Sequence, residues 1–253
     1  MIKKASVVEI GKIKSKIIKF TNKNNLLSPW MNNIILYLKE GFAVATDSYA
    51  LYITPIKVEG ELYDKVEVPP DIFKKIGHKF IVANYKETEG FLSYEFLSSN
   101  GDSYIGKQMK LSYIQQISNI AFLSNDKLHL VLSKDGLKAL QELLKIGTRI
   151  EIKGFAGIKE LEVTTYEDNE KFFIPLDKAA EHDFALYTSF RTMRYLHKCF
   201  SMSNGSLYLC VSNDCIYKPI YGIKLDTNSG DLIYCACEGA VERFDEPLYS
   251  AMP

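Results

Sequence analysis

The sequence predicts an α+β protein built from two tandem copies of one unit, with a few amphipathic helices set among short antiparallel strands. Three observations carry this. Four helix-like segments recur at matched spacing, the stretches between them alternate apolar and polar residues, and the bases gather on the helices. Such alternation marks antiparallel sheet with one wet face, and a long fixed period marks a repeated architecture.

The first helix is expected over about Ile10 to Asn24, where Ile10, Ile13, Ile17 and Phe20 recur at helical spacing. The second spans about Pro69 to Lys79. Pro70 and Asp71 suit its first turn, because a missing N–H costs nothing there and a carboxylate meets the positive helix end. Gly77 can end it. The third spans about Ser133 to Gly147, with Ser133 as N-cap, Leu137, Leu140 and Leu144 as the apolar stripe, and Gly147 for the left-handed C′ position. The fourth spans about Ser189 to Phe200, with Met193, Leu196 and Phe200 as its stripe.

Clear strands are Arg149 to Ile152, Glu160 to Val163 and Ser206 to Leu209, and Leu232 to Cys235 is more continuously apolar. Turn signals stand at Lys39-Glu40-Gly41, Asn100-Gly101-Asp102, Asn204-Gly205 and Asn228-Ser229-Gly230. Glu167 to Glu170 reads as a hairpin tip. The first and third helices are about 120 residues apart, as are the second and fourth. Each half therefore reads as a leading strand, a helix, about three strands, a helix and about three strands. The expected division is residues 1–110, a connector over 111–126, and 127–253 with a C-terminal tail.

Composition excludes several classes. Of 253 residues, 47% are hydrophobic and 25% charged, which excludes a disordered, collagen-like or coiled-coil chain. No apolar run approaches the roughly 18 residues of a membrane span. Met1 to Ser6 lacks the apolar core of a signal peptide. The five cysteines (Cys199, Cys210, Cys215, Cys235 and Cys237) all lie in the last quarter, and their odd number fits a reducing cytoplasm. Cys235 and Cys237 share one side of a strand and read as small buried hydrophobes before they read as metal ligands.

The 31 bases and 31 acids cancel. Divided by segment they do not. The four helical segments carry +11 and the remainder −11. Lys12, Lys16, Lys19 and Lys23 form a stripe on the first helix, and Lys74 and Lys75 sit on the second. Lys134, Lys138 and Lys145 line up on the third with Gln141 between them, and Arg191, Arg194 and Lys198 repeat the pattern on the fourth. One such stripe is an ordinary solvated face. Four of one sign on an otherwise acidic chain make a surface for a polyanion. Lysine is a point charge suited to phosphate, and no recognition-helix, zinc-finger or ribonucleoprotein pattern occurs. The expected contact is with nucleic-acid backbone, without sequence readout, weak and strongly salt-dependent.

The segment Trp30 to Ile53 (WMNNIILYLKEGFAVATDSYALYI) resembles the sliding-clamp family, in particular the beta subunit of bacterial DNA polymerase III. Asn33 to Leu36 and Val44 to Leu51 occupy the places of that family's "N-G-V-L-L" strand and "A-T-D-G-H-R-L" turn. Phe190 to Phe200 resembles its "F-N-x-x-Y-L" helix, and Tyr249 to Pro253 its closing segment. The resemblance implies two clamp domains with antiparallel sheets outside and two helices per domain on the inner face. It implies a phage or bacterial processivity factor of the cytoplasm: a homotrimeric ring that encircles duplex DNA, tethers a DNA polymerase and is set in place by a clamp loader. It implies no catalysis, no cofactor, no metal and no membrane partner.

The family's client-peptide pocket carries over to Thr46, Ser48, Tyr49, Ala50 and Leu51, with Tyr234, Cys235, Met252 and Pro253 on its other wall. Ser48, Tyr49 and Ala50 depart from the family's Gly, His and Arg. A pocket shifted toward Ile105, Tyr113 and Ile114 is the alternative. The alternative function is a clamp-fold polymerase accessory or protein-binding adaptor that does not encircle DNA. An enzyme using the C-terminal cysteines is a third class, which a metal assay tests. The residues give it little. His78, His129, His182 and His197 are scattered, no phosphate loop occurs, and Glu181-His182-Asp183 has no positioned nucleophile.

Overall fold

Alternating residues set the strands. In the computed structural model, which describes residues 5–10, 14–22, 29–47, 50–60, 65–109, 126–188, 196–212 and 220–237, β1 (Ala5–Ile10) buries Val8 and Ile10 and exposes Glu9 between them. The chain divides into two compact units. The first is Met1–Gln116 with Ser229–Asp231, and the second is Ile117–Asn228 with Leu232–Pro253.

In the first unit β1 is followed by α1 (Lys14–Ile17) and then by β2 (Ile34–Tyr37), β3 (Phe42–Thr46), β4 (Ala50–Gly60) and β5 (Lys65–Val68). After these come α2 (Pro70–Lys75), β6 (Lys79–Thr88), β7 (Phe91–Ser98) and β8 (Ser103–Met109). Every pairing is antiparallel, in the order β8-β7-β6-β1-β4-β3-β2-β5. The long strand β4 makes this continuous. Leu51 to Pro55 pair with β3, and Ile56 to Gly60 pair with β1. Pro55 stands at the changeover, where a missing N–H costs the ladder least.

Phe20, Tyr52, Phe73, Phe80 and Phe96 fill the first core, with Phe20 and Tyr52 ring centroids 5.0 Å apart. Gly106 lets β8 lie against that core, because a Cβ there would stand 2.7 Å from Phe96 Cε2. The buried Asp231 carboxylate, which also belongs to this unit, accepts from the Tyr52 and Ser229 hydroxyls, each at 2.7 Å.

The second unit repeats the order. It runs β9 (Asp126–Val131), α3 (Lys134–Ile146), β10 (Ile150–Gly154), β11 (Glu160–Thr165), β12 (Lys171–Pro175) and β13 (Phe184–Tyr187). Residues 196–200 are helical, and β14 (Ser203–Ser212), β15 (Ile220–Thr227) and β16 (Leu232–Cys237) follow. Its sheets are β12-β11-β10-β13 and β9-β14-β15-β16, again antiparallel. Where the first unit has the β1–β4 ladder, the second has a single bridge, Leu132↔Leu176. Each unit is thus a strand, a helix, four strands, a helix and three strands, the duplication expected from the spacing.

Four expectations need correction. Ile10 ends β1, paired with Ile56, and does not begin a helix. The first helix is shorter than expected: α1 gives way to a 3₁₀ turn over Ile18–Phe20, closed by the Thr21 hydroxyl on the Ile18 carbonyl at 2.8 Å. Three isoleucines and a phenylalanine give the right period, but the β-branched residues lower helix propensity. The second helix ends at Lys75. Gly77 turns the chain at φ +78°, and Lys79 opens β6, so its charge belongs to the sheet. Asn204-Gly205 is a bulge within β14, not a turn: the register shifts there, and Gly205 accepts from the Leu132 N–H at 2.9 Å. The connector 111–126 lies outside the described residues except for Asp126.

Candidate nucleic-acid interface

α3 shows how the sequence makes a basic face. The Ser133 hydroxyl accepts from the Gly136 N–H at 3.0 Å and caps the first turn. Asp135 stands in that turn and Lys145 in the last, each at the helix end whose partial charge it complements. Gly147, at φ 82°, takes the left-handed closing position. Gly136, Leu140, Leu143 and Leu144 are buried. At about 100° per residue, Lys134, Lys138, Gln141 and Lys145 share a narrow strip roughly opposite. The three lysines are exposed.

Gln141 in that strip has a structural task. Its Nε2 donates to the Phe200 carbonyl at 2.7 Å, tying α3 to the helical residues 196–200. That segment anchors itself through buried Leu196, Cys199 and Phe200, leaving His197 and Lys198 half-buried. Ser201 closes it, its N–H on the His197 carbonyl at 3.0 Å and its hydroxyl on the Lys198 carbonyl at 2.7 Å. The second unit therefore presents Lys134, Lys138 and Lys145 on a helix tied to the segment that carries Lys198. Arg191 and Arg194 lie outside the described residues.

In the first unit α1 and α2 are in contact. Ile17 and Phe20 face the core, Lys16 is half-buried and Lys19 exposed. Lys12 and Lys23 lie outside the described residues. α2 is anchored by Phe73 and Ile76, with Pro70 in its first turn. Lys74 and Lys75 are exposed at its end. Lys74 Nζ stands 3.5 Å from Asp71 Oδ1, and Lys75 Nζ lies 5.8 Å from the centre of the Tyr104 ring.

Sequence reasoning counted Glu142 only as an acid of the third helix and did not read its pairing with Lys145. Its carboxylate lies 2.6 Å from Lys145 Nζ. Lys145 foremost, with Lys138 and His197, holds the Glu142 carboxyl below the usual range. The signal was available as an acid one turn before a lysine. Such a face can hold phosphates through ammonium groups, and its reach depends on how many lysines are already engaged by carboxylates.

The expected client pocket is only partly described. Thr46 ends β3 and its hydroxyl donates to the Ala50 carbonyl at 2.9 Å, while the Ala50 N–H donates to Asp47 Oδ1 at 2.9 Å. Asp47 thus shapes the turn. Ala50 is 2% and Leu51 9% exposed, so these two serve the core. Tyr234 and Cys235 lie on β16, paired with Lys224 and Ile223. Ser48, Tyr49, Met252 and Pro253 lie outside the described residues, as do Tyr113 and Ile114. Ile105 is half exposed on β8. Among the described residues, no three or more His, Cys, Asp or Glu side chains gather as metal ligands, and no helix is long and apolar enough to cross a membrane.

No protein-family model matches the sequence, and no curated protein matches it either. Solved structures do. A DNA polymerase sliding clamp from Bacillus subtilis superposes with a TM-score of 0.64 at 10% identity, over 93% of this chain and 64% of that one. The H. pylori beta clamp gives 0.64 at 12% identity, over 95% and 68%. The DNA polymerase sliding clamp from Caulobacter crescentus gives 0.60 at 12%, over 94% and 66%. The chain therefore spans about two thirds of the length of the clamps it matches. Nearly all of it, in two α+β units of antiparallel sheets with helices, has the fold of bacterial DNA polymerase sliding clamps.

Proposed function

We propose that this chain is a DNA sliding clamp, a processivity factor that encircles duplex DNA and tethers a DNA polymerase. The observation that carries the reading is the segregation of charge on α3. Its lysines occupy the face opposite its buried leucines, within a fold shared with DNA polymerase sliding clamps. A surface of this kind attracts phosphate without reading bases, and a weak hold of that sort permits sliding. The clamp does no chemistry and needs no cofactor.

Two repeated units per chain support a homotrimer, because head-to-tail contacts close a ring when the rotation allows it. The domains proposed are 1–110 and 127–253, joined by 111–126. The DNA-facing residues proposed are Lys12, Lys16, Lys19, Lys23, Lys74, Lys75, Lys134, Lys138, Lys145, Arg191, Arg194 and Lys198. A client peptide from the polymerase would dock beside Thr46, Ser48 and Tyr49. Ala50 and Leu51 would back it, with Tyr234, Cys235, Met252 and Pro253 opposite. A clamp loader would place the ring on DNA in the cytoplasm of a bacterium or a phage-infected cell.

Light scattering tests the ring: the expected mass is about three times 28.8 kDa. Retention on closed circular DNA that is lost on linearisation tests encirclement. Lys16→Glu, Lys138→Glu and Arg194→Glu together should abolish retention and leave the fold intact. Undiminished retention would place these residues elsewhere. A second reading is an adaptor of the same fold that does not encircle DNA. It is favoured by the short helices of the first unit, where Lys74 and Lys75 stand near Asp71 and Tyr104. A strict monomer without topology-dependent retention would support it.

A further inference from the structure

α3 places a carboxylate at the border of its own basic strip. Glu142 lies one turn after Lys138 and one turn before Lys145, and it is exposed. Its Oε1 accepts from Lys145 Nζ at 2.6 Å, and Lys138 and His197 also act on it electrostatically. Stability gives little reason for the arrangement, since exposed pairs of this spacing add little to a helix.

We propose that Glu142 is an internal competitor for phosphate, which occupies the Lys145 ammonium and so lowers the number of phosphates the second unit engages. The proposal rests on the sliding-clamp reading above. A lysine that trades a carboxylate for a phosphate gains less than one that trades water, so the hold on duplex is weakened without loss of a base. The first unit has a counterpart in Asp71 and Lys74, also one turn apart, at a longer 3.5 Å. Both helices thus set an acid ahead of a lysine near the C-terminal end, where the lysine also meets the negative pole of the helix. The competitor costs affinity and permits rapid exchange between phosphates, which a protein that moves along a duplex requires.

The physical consequence is a change in salt dependence. Each phosphate neutralised on duplex DNA adds about 0.9 to the slope of log K against log salt. Glu142→Gln keeps the size and helix preference of the side chain and frees Lys145. The slope should steepen by about 0.9, which widens the change in affinity between about 50 and 200 mM salt roughly 3.5-fold. The measurement is fluorescence anisotropy of a labelled duplex oligonucleotide with the full chain. It compares wild type, Glu142→Gln, Lys145→Gln and the double variant over that salt range. Thermal melts of all four should coincide.

The expected result is tighter binding and a steeper slope for Glu142→Gln, a small loss for Lys145→Gln, and loss of the Glu142→Gln gain in the double variant. Wild-type affinity and slope in Glu142→Gln would overturn the inference while leaving the clamp reading intact. So would an equal gain with and without Lys145, because Glu142 would then act as a diffuse charge. Absence of duplex binding by all four proteins at the lowest salt would overturn this inference, while retention on closed circular DNA decides the clamp reading separately.

Discussion

Replacing Gly136 with alanine sets two effects against each other in the helix that carries the basic strip. In a helix interior alanine is favoured over glycine by about 1 kcal/mol. The site opposes that gain. A Cβ on residue 136 would stand 2.1 Å from the Pro175 carbonyl oxygen and 3.2 Å from its carbon, where ordinary contact begins at 3.4 Å. The obstacle is backbone and cannot swing aside. The same oxygen accepts from the Ser133 N–H at 3.1 Å, and the neighbouring Leu132↔Leu176 bridge fixes its position.

α3 must therefore move by about an ångström away from β12. Overpacking of this kind costs about 1–3 kcal/mol, and a backbone obstacle belongs at the upper end. Against the propensity gain, the net destabilisation is about 2 kcal/mol, and for a chain of this size Tm falls by about 4–8 °C. Urea unfolding followed by circular dichroism and a calorimetric melt measure it. A Tm equal to or above that of wild type would refute the argument, because α3 would then not be seated against Pro175 as closely as the geometry requires.

Three further changes test other contacts. Ser133→Ala removes the cap on the Gly136 N–H and should cost about 1 kcal/mol, read as a lower urea midpoint. Tyr52→Phe removes a donor to the buried Asp231 carboxylate and should cost about 1.5–3 kcal/mol, seen as a lower Tm. Burial raises the Glu67 carboxyl above its usual 4.5, against the Asn33 hydrogen bond and Lys65, which lower it. The folded state then holds that proton more tightly than the unfolded one. The contribution to stability is present below the ordinary glutamate range and is lost as pH rises through the raised value. Glu67→Gln should therefore flatten the decline in stability from about pH 4 upward; urea midpoints across that range that keep the wild-type slope would count against this assignment.

The duplication and the exposed lysines of α3 were legible because helix and strand periods can be read along the chain. Ser133, Gly147 and the leucines of α3 announce a helix with a start, a stop and a face, and the structure keeps all three. Ile10 was misread because the last residue of a strand and the first of a helix can both be apolar and buried. Its pairing with Ile56, set far along the chain, decides the matter. Lys79 was included in the second helix although Gly77 offered a stop before it; α2 ends at Lys75, Gly77 turns the chain and Lys79 opens β6. Asn204-Gly205 carries turn chemistry but serves a bulge, a choice made by the partner strand. The burial of Ala50 and Leu51 is tertiary. Nothing in A-T-D-S-Y-A-L distinguishes a pocket wall from a core strand.

The junction between the two sheets differs in kind between the units, and cooperativity should differ with it. In the first unit β4 runs through both sheets without a break, and five residue pairs join it to β1. In the second the same junction is one bridge, Leu132↔Leu176, with Asp177 donating to the Val131 carbonyl beside it at 2.8 Å. Local opening follows the weakest shared hydrogen bonds. The amides of the first unit should therefore exchange with solvent as one block. Those of β10 to β13 should exchange apart from those of β9, β14 and β15, giving one protein two units of like topology and unlike mechanical grain.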